Sequence, residues 1–184
     1  MSSASKDALP LRHPVRVETI TLRPMTFELA APQSDFAAIA RHLGVASVEK
    51  LTASYSLSRN GDRVKLEGKI GAALHQICVV SLEAFPVALT VPVKLDFLPE
   101  AEIAAAAGAD QGEGEIDIEV LLNEEDPPEP IVDGVIDLGA ITLEFLALAL
   151  DPYPRKPGAS FDELAPEAAP ESPFAALARL KGEE

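Results

Sequence analysis

The sequence contains little of what catalytic and metal sites are usually built from. It has one cysteine, three histidines and no tryptophan among 184 residues, and aromatic residues make up only 5% of the chain. The single cysteine, Cys78, excludes a disulfide within the chain and a zinc site made of several cysteines. His13, His42 and His75 stand apart, without the spacing that places two metal-ligating histidines on one helix. We therefore expect no metal site and a core built mainly from aliphatic side chains.

Recognisable catalytic and cofactor motifs are also missing. There is no strand-turn-helix serine motif and no glycine-rich phosphate loop. The acidic stretch 110–119 resembles a calcium loop only superficially, because glycines (Gly112 and Gly114) stand where alternate oxygen ligands are needed. The run 124–126 is acidic but contiguous, whereas paired catalytic carboxylates come together from separate rigid elements. The sequence therefore predicts no catalytic residue and no cofactor.

Charge divides the chain into two unlike halves. The net charge is −15, but residues 1–98 have a balance of +2 and residues 99–184 a balance of −17. An acidic half repels nucleic acid, because nucleic-acid binding depends on cations that neutralise phosphates. A basic protein would be the natural partner of this acidic half. A simpler explanation of the negative charge is that it only keeps the protein soluble.

The stretch 131–154 predicts a short helix with clear ends. Asp133-Gly134 is typical of a turn, and Asp137 occupies the N-cap position. From residue 138 to residue 150 nearly every side chain is apolar, and a proline-rich stop follows. A helix this apolar needs cover on several sides, yet it is much shorter than the roughly 20 residues that span a bilayer. Charged residues near the N-terminus argue against a signal peptide, so we expect a cytoplasmic protein that does not enter the membrane.

A β-hairpin is predicted around the turn Arg59-Asn60-Gly61-Asp62. Apolar residues alternate with polar ones along both flanking segments, which is the pattern of strands with one buried face. The polar face of the returning strand carries Arg63, Lys65 and Lys69, with Arg59 beside the turn. This basic row suits a weak RNA contact, although a solvated strand face is the more common meaning of such a row.

The remaining pattern predicts an α+β fold. We expect a single domain over residues 15–158: a curved antiparallel sheet, with a barrel-like form as one option, covered by short helices. The N-terminal 14 residues are expected to be a disordered leader, and residues 159–184 a mostly disordered acidic tail with a short helix near 173–181. Further strands are predicted at 15–22, 25–29, 77–82, 87–97 and 116–120, and a helix at 36–43 capped by Ser34 or Asp35 and closed by Gly44. Pro92 requires an edge or unpaired position in its strand.

Two isolated residues have competing interpretations. Cys78 could be a nucleophile, but a buried structural thiol is favoured because no cationic residue flanks it closely. Glu144, a polar residue of the apolar helix, could point to water, pair with a cation such as Arg41 or Lys94, or bind a partner.

Several of these residues resemble one known family. The segment 78–85 is similar to the Cys-x-x-Cys-Leu-x-Pro segment of the YceD family, the large ribosomal RNA subunit accumulation proteins. Residues 133–139, Glu144 and 148–154 resemble that family's second motif, and the resemblance covers roughly residues 15–158 and the late helix. Ser81 stands where many members have a second cysteine, so a metal or redox pair is not implied here. The residues that carry the resemblance are Cys78, Leu82, Asp133, Gly134, Asp137, Leu138, Gly139, Glu144 and Pro152.

The resemblance implies a non-enzymatic factor that supports accumulation of large-subunit ribosomal RNA, and hence ribosome assembly. Its expected partner is a basic ribosomal protein or a pre-ribosomal particle, with a possible weak RNA contact through Arg59, Arg63, Lys65 and Lys69 and a partner contact through Glu144. Two other functions stay open: a small-molecule carrier or enzyme with a site between sheet and helix, containing His75, Cys78 or Glu144, and a structural homodimer joined by the apolar helix. A monomer is favoured.

Overall fold

The computed structural model describes residues 9–103 and 127–160, and these residues form two sheets, two complete α-helices and a helical segment at residues 100–103. In chain order the strands are β1 (Pro14–Arg16), β2 (Met25–Ala30), β3 (Ser47–Asn60), β4 (Arg63–Ile77), β5 (Ala84–Pro99), β6 (Glu129–Ile131) and β7 (Val135–Asp137). The helices are α1 (Phe36–Leu43) and α2 (Leu138–Ala149), with short 3-10 helices at Val17–Thr19 and Gln33–Asp35. The strand predicted at 116–120 and the helix near 173–181 lie outside the described residues.

The main sheet has five strands in the order β2-β3-β4-β5-β6, and β1 pairs with β7 in a separate ribbon. All strand pairs are antiparallel except β5 and β6, which run parallel. The sheet is open, with β2 and β6 at its edges, so the fold is α+β as predicted but not a closed barrel.

The long β3–β4 hairpin is the centre of the sheet, and its strands follow the predicted alternation of apolar and polar faces. Asn60 pairs with Arg63, which leaves Gly61 and Asp62 as the two turn residues. The turn therefore lies one residue later than an Asn-Gly turn would. Gly61 has a φ of 62°, a left-handed conformation that glycine adopts without steric cost.

Strand β5 is continuous from residue 84 to residue 99, which confirms the prediction for 87–97. β6 pairs only with residues 97–99, so most of β5 is an edge and Pro92 can be accommodated opposite Lys69. The strand predicted at 77–82 is wrong. β4 ends at Ile77, and the chain turns back there, with the Leu82 N–H donating to the Cys78 carbonyl at 2.9 Å.

One face of the main sheet packs against α1 and α2 and forms the core. A buried pair of hydroxyls ties the layers together: Tyr55 Oη lies 2.7 Å from Thr142 Oγ1. Thr142 Oγ1 donates to the Leu138 carbonyl at 2.6 Å, so the tyrosine must donate to the threonine. Both residues are almost completely enclosed, and each hydroxyl would be costly to bury without the other.

The helix ends agree only partly with the sequence. Gly44 closes α1 with a φ of 67°, as expected. Asp35 precedes α1, but its side chain makes no cap hydrogen bond, and Ser34 donates to the Asp35 carboxylate instead. Asp137 does cap α2 by accepting from the N–H groups of Gly139 and Ala140.

The chain before β1 crosses the first turn of α2. Leu11 is buried in the core, and the expected disordered leader is therefore wrong for the residues just before β1, whereas residues 1–8 lie outside the described ranges. A Cβ atom on Gly139 would lie 2.7 Å from Arg12 Cα and 2.7 Å from the Leu11 carbonyl oxygen. Only glycine lets this segment approach so closely.

We predict that Gly139→Ala destabilises the fold by about 1–3 kcal/mol, because the added methyl group meets backbone atoms that cannot move aside without displacing β1. Thermal unfolding measures the effect. The matched control is Gly71→Ala, since a Cβ there would meet only Thr52 Oγ1 at 3.4 Å. Equal melting temperatures for the two variants would contradict the close approach.

Candidate functional site

The polar face of the β3–β4–β5 sheet, on the side away from the helices, is the first candidate surface; we call it the outer sheet face. Arg63, Lys65 and Lys69 lie on it with exposed side chains. Lys94 joins them from β5, where it pairs in register with Glu67. Serine and threonine hydroxyls of β3 surround this basic row at Thr52, Ser54, Ser56 and Ser58.

The charge of the outer sheet face is mixed. Lys65 Nζ lies 3.0 Å from Glu67 Oε1, and Asp96 pairs opposite Lys65. Lys69, by contrast, has Ser54 on one side and Pro92 on the other. The Glu28 carboxylate accepts from Ser54 Oγ at 2.7 Å, so negative charge lies close to Lys69 as well.

Two shallow depressions interrupt this face. One, of about 270 Å³, lies where Gly71 leaves space between Thr52, Ser54, Lys69 and Thr90. The other, of about 260 Å³, is bordered by cationic and anionic side chains of the hairpin end: Arg63, Lys65, Lys94 and Asp96, with Ser58 and Asn60. Both are shallow and partly open to solvent, and the Glu28 carboxylate also borders the first.

Arg59 does not share this face. It pairs with the buried Val64, so its side chain starts from the opposite side of the sheet. Its Nε donates to the Gly61 carbonyl at 2.8 Å, and its guanidinium lies 3.6 Å from Asp62. Arg59 therefore holds the turn, and the structure groups only the other three predicted cations.

The second motif builds a tight turn followed by an N-cap. Asp133 and Gly134 have φ values of 52° and 67°, and Val135 N–H donates to the Val132 carbonyl at 3.0 Å. Positive φ at both central residues is the geometry of a type I′ hairpin turn. Gly134 also accepts from the Val17 N–H at 2.9 Å, which joins this turn to the chain after β1.

Asp137 holds two parts of the chain together. One carboxylate oxygen accepts from the His13 N–H at 2.8 Å and from Gly139 N–H at 3.0 Å, and the other lies 3.0 Å from Arg12 Nε. Burial raises the pKa of Asp137, but these hydrogen bonds and that from Ala140 outweigh it, so the pKa lies below its ordinary value. The stabilisation from this carboxylate is therefore complete above the ordinary pKa of 3.8 and lost as the pH falls through the lower folded value.

Cys78 lies in the turn after β4 and is fully buried, which agrees with the structural thiol favoured from the sequence. Its sulfur accepts from the N–H groups of Val80 and Ser81, each at 3.4 Å. The Ser81 hydroxyl is enclosed without a well-aligned partner in the part of the chain that the structure describes. That hydroxyl is the largest influence on the thiol; with the Ser81 N–H and the backbone of Lys156 and Val80 it outweighs burial and lowers the pKa of Cys78 to about 6.

Leu82 closes the same turn in an unusual conformation. Its φ is 59°, and 78% of its surface is exposed. A leucine in the left-handed region is strained, and exposure of its side chain brings no packing in return.

The two motifs meet at one end of the molecule. Val79 N–H donates to the Pro154 carbonyl at 2.9 Å, and Gln76 Nε2 donates to the Asp151 carbonyl at 3.1 Å. Lys156 Nζ lies 2.7 Å from Glu83 Oε2. Between these segments, the end of α1 and the end of α2 lies a groove of about 390 Å³, which we call the end groove. Its lining includes Leu43, Val45, Ile77, Val79, Ala147, Leu150, Asp151, Pro152 and Pro154.

Glu144 is the motif residue that the fold does not use. Leu138 and Gly139 are buried in the first turn of α2, whereas Glu144 is exposed and forms no ion pair within residues 9–103 and 127–160. Lys94 lies on the outer sheet face, across the sheet from α2, so the suggested pair with Glu144 does not form. Leu148 is 77% exposed on the same helix, so α2 is covered on one side rather than all round.

The residues suggested for a small-molecule site are not brought together. His75 lies on the outer sheet face, with Nδ1 at 3.1 Å from Ser47 Oγ, while Cys78 is enclosed and Glu144 projects from α2. In the described ranges, no three histidine, cysteine, aspartate or glutamate side chains lie close enough to hold a metal ion.

Comparison with protein families assigns the chain. The model of the family described as large ribosomal RNA subunit accumulation protein YceD matches residues 66–181, well over half of the sequence. The chain belongs to the YceD family. The family resemblance seen in the sequence is confirmed, and the family's description indicates a part in large-subunit ribosomal RNA accumulation, and thus in ribosome biogenesis. Searches of curated proteins and of solved structures return no significant match.

None of the helices within the described part of this YceD family member is long and apolar enough to cross a membrane. Sequence reasoning missed one contributor to the outer sheet face, Lys94, and two residues that pack against the start of α2, Leu11 and Arg12. Lys94 could have been placed beside the basic row if the register between β4 and β5 had been known. Leu11 and Arg12 gave no signal, because their contacts depend on a helix more than a hundred residues away.

We predict that the free energy of unfolding rises between about pH 6 and pH 9 through Cys78. Above about 6 the folded protein holds a thiolate, whereas the unfolded chain keeps its proton up to the ordinary value of 9.0. The unfolded state then binds more protons, so stability increases with pH. Urea unfolding at a series of pH values should show this rise in the wild type and not in Cys78→Ala.

Ser81→Ala is the matched variant for this measurement. Loss of the hydroxyl should move the start of the rise to higher pH without abolishing it, because the backbone N–H groups remain. A wild-type profile that coincides with that of Cys78→Ala would show that the thiol keeps its proton.

Proposed function

We propose that this YceD family member is a non-enzymatic assembly factor that binds the pre-ribosomal large subunit in two ways. The outer sheet face contacts the phosphate backbone of ribosomal RNA, and the acidic C-terminal half binds a basic ribosomal protein. The proposal places this assembly role in the cytoplasm. The observation that carries it is a sheet face that no described element covers and that presents lysines among hydroxyls.

The chemistry of that face supports contact with a polynucleotide backbone. Lysine side chains neutralise phosphates, and serine and threonine hydroxyls donate to phosphate oxygens. Neighbouring strands lie about 4.8 Å apart, so Lys69 and Lys94 reach different phosphates of one strand. Glu67 and Asp96 limit the attraction, which suits a weak contact that positions a particle rather than one that reads sequence.

The second contact rests on the distribution of charge along the chain. Residues 99–184 have a net charge of −17, and this excess cannot lie against the phosphate backbone without strong repulsion. A lysine- and arginine-rich protein would replace this repulsion with attraction between opposite charges. One factor could then hold a ribosomal protein and RNA close together.

The proposal assigns no chemical step to the protein. Catalysis requires reactive groups that converge at one place, and His75, Cys78 and Glu144 are held apart as described above. Both binding surfaces instead act by charge and shape complementarity. Glu144 extends the acidic surface onto α2, where it is available to a partner's lysine or arginine.

We predict that Lys69→Glu weakens binding of the full chain to large-subunit ribosomal RNA several-fold at low salt. Filter binding at increasing salt measures the effect, and the slope of log K against log salt should become shallower by about 0.7 for each phosphate that the variant no longer neutralises. The matched control is Arg41→Glu. It makes the same charge change at an exposed residue of α1, which packs on the opposite face of the sheet from Lys69. If both variants bound RNA equally weakly, the change in net charge alone would explain the effect. The assignment of RNA binding to the outer sheet face would then be wrong.

A cellular experiment tests the assembly role itself. Depletion of the protein should lower the ratio of large to small subunits on a sucrose gradient, and wild-type chain should restore it. Re-expression of Lys69→Glu should restore it less well than Arg41→Glu. An unchanged subunit ratio on depletion would count against the role, whatever the RNA measurements give.

A further inference from the structure

The end groove leaves apolar side chains in contact with solvent. Ile77 is 52% exposed and Val79 is 39% exposed, and both line the groove. Tyr153, between two groove prolines, and Leu148, beside the groove residue Ala147, are largely exposed as well. Ile77 and Val79 give this concave site an apolar part, which the apolar side chains of another segment can cover.

The length of chain beyond the described residues brings one such segment within reach. Pro154 lines the groove, and the described chain ends at Ser160, six residues later. Residues 161–172 then connect to Pro173. Twelve residues have a root-mean-square span of about 19 Å as a flexible chain and reach about 40 Å when extended. The segment after Pro173 can therefore return to the groove, and its effective concentration there is in the millimolar range.

The sequence of residues 173–181 has the pattern of a short helix with one apolar face, which can pack against the apolar side chains of the groove. Ser172 and Pro173 are a typical helix start, and Phe174, Leu177 and Leu180 recur at helical spacing on one face. A helix of nine residues is about 13 Å long. Because three of the other residues are alanines, this helix can lie close to a surface and insert its three large side chains.

The charges of residues 173–181 and the range of the family match both support this segment as the occupant of the end groove. The segment carries Arg179 and Lys181 and no acidic residue, whereas Asp151 lines the groove and Glu144 is exposed on the adjoining helix. The family match starts at residue 66 and runs on to residue 181. It therefore includes both the β4–α2 side of the groove and the last residue of the segment.

We propose that residues 173–181 of this chain form a helix that docks in the end groove, with Phe174, Leu177 and Leu180 against Ile77, Val79 and Leu150. The docked segment shields the groove and holds the acidic tail against the domain. A partner that competes for the groove releases the tail, so the groove is a regulated site on the same molecule.

The test is an NMR comparison of the full chain with two variants of the tail. Leu177→Glu places a charge at the centre of the apolar face, and Ala175→Glu places the same charge on the opposite side of the predicted helix. In Leu177→Glu the signals of Ile77, Val79 and Leu150 should move from their wild-type positions, while those of the β3–β4 hairpin stay. In Ala175→Glu the groove signals should keep their wild-type positions.

A peptide of residues 170–184 added to the Leu177→Glu chain should return the groove signals towards their wild-type positions. Groove signals that coincide in the wild type and both variants would overturn the proposal. Groove signals that change on dilution of the wild type would also overturn it, because they would make a second copy of the chain the occupant. RNA binding through Lys69 should be the same in Leu177→Glu as in wild type, so failure here is distinguishable from failure of the proposed function.

Discussion

The carboxylate of Asp137 is the interaction on which the arrangement of this molecule depends. It satisfies free N–H groups at the start of α2 and at the same time accepts from His13 N–H and Arg12. A helix N-terminus buried without such a partner would leave amide groups unpaired at a cost of about 1–3 kcal/mol each. Because the same carboxylate fixes the chain that leads into β1, the position of α2 over the sheet and the position of the N-terminal segment are set together. The end groove and the exposure of Glu144 and Leu148 follow from that position.

The sequence predicted the parts of the fold that depend on neighbouring residues. The hairpin, the N-cap at Asp137, the turn at Asp133-Gly134 and the end of α1 at Gly44 are all decided by local backbone preferences and by alternation. The segment 77–82 was misread because its apolar residues look like a strand. There the chain turns instead, and the turn is held by hydrogen bonds to residues 154–156 that no local pattern reveals. Leu11 was assigned to a disordered leader for the same reason.

The candidate surfaces were predictable only in part, and the limit was register. The basic row on β4 could be read from alternation alone, since Arg63, Lys65 and Lys69 are two or four residues apart. Lys94 belongs to the same surface through its pairing with Glu67, and Arg59 leaves it through its pairing with Val64. Neither pairing can be inferred from one strand. The exposure of Leu82 was likewise hidden, because a left-handed leucine has no sequence signature.

The residues of the family motifs fall into two groups: those that make structural contacts within the fold and those whose side chains are exposed. One group has structural roles within the fold: it forms the turn, the helix cap and the close crossing of the N-terminal segment. Its members are Gly134, Asp137, Leu138 and Gly139. Glu144 and Leu82 belong to the same motifs, but their side chains are exposed and contribute little to packing. The outer sheet face and the end groove share no lining residue. Changes at the two should therefore be nearly additive, as expected for sites without shared contacts. Under the two proposals, RNA binding and displacement of the tail therefore involve separate sets of residues.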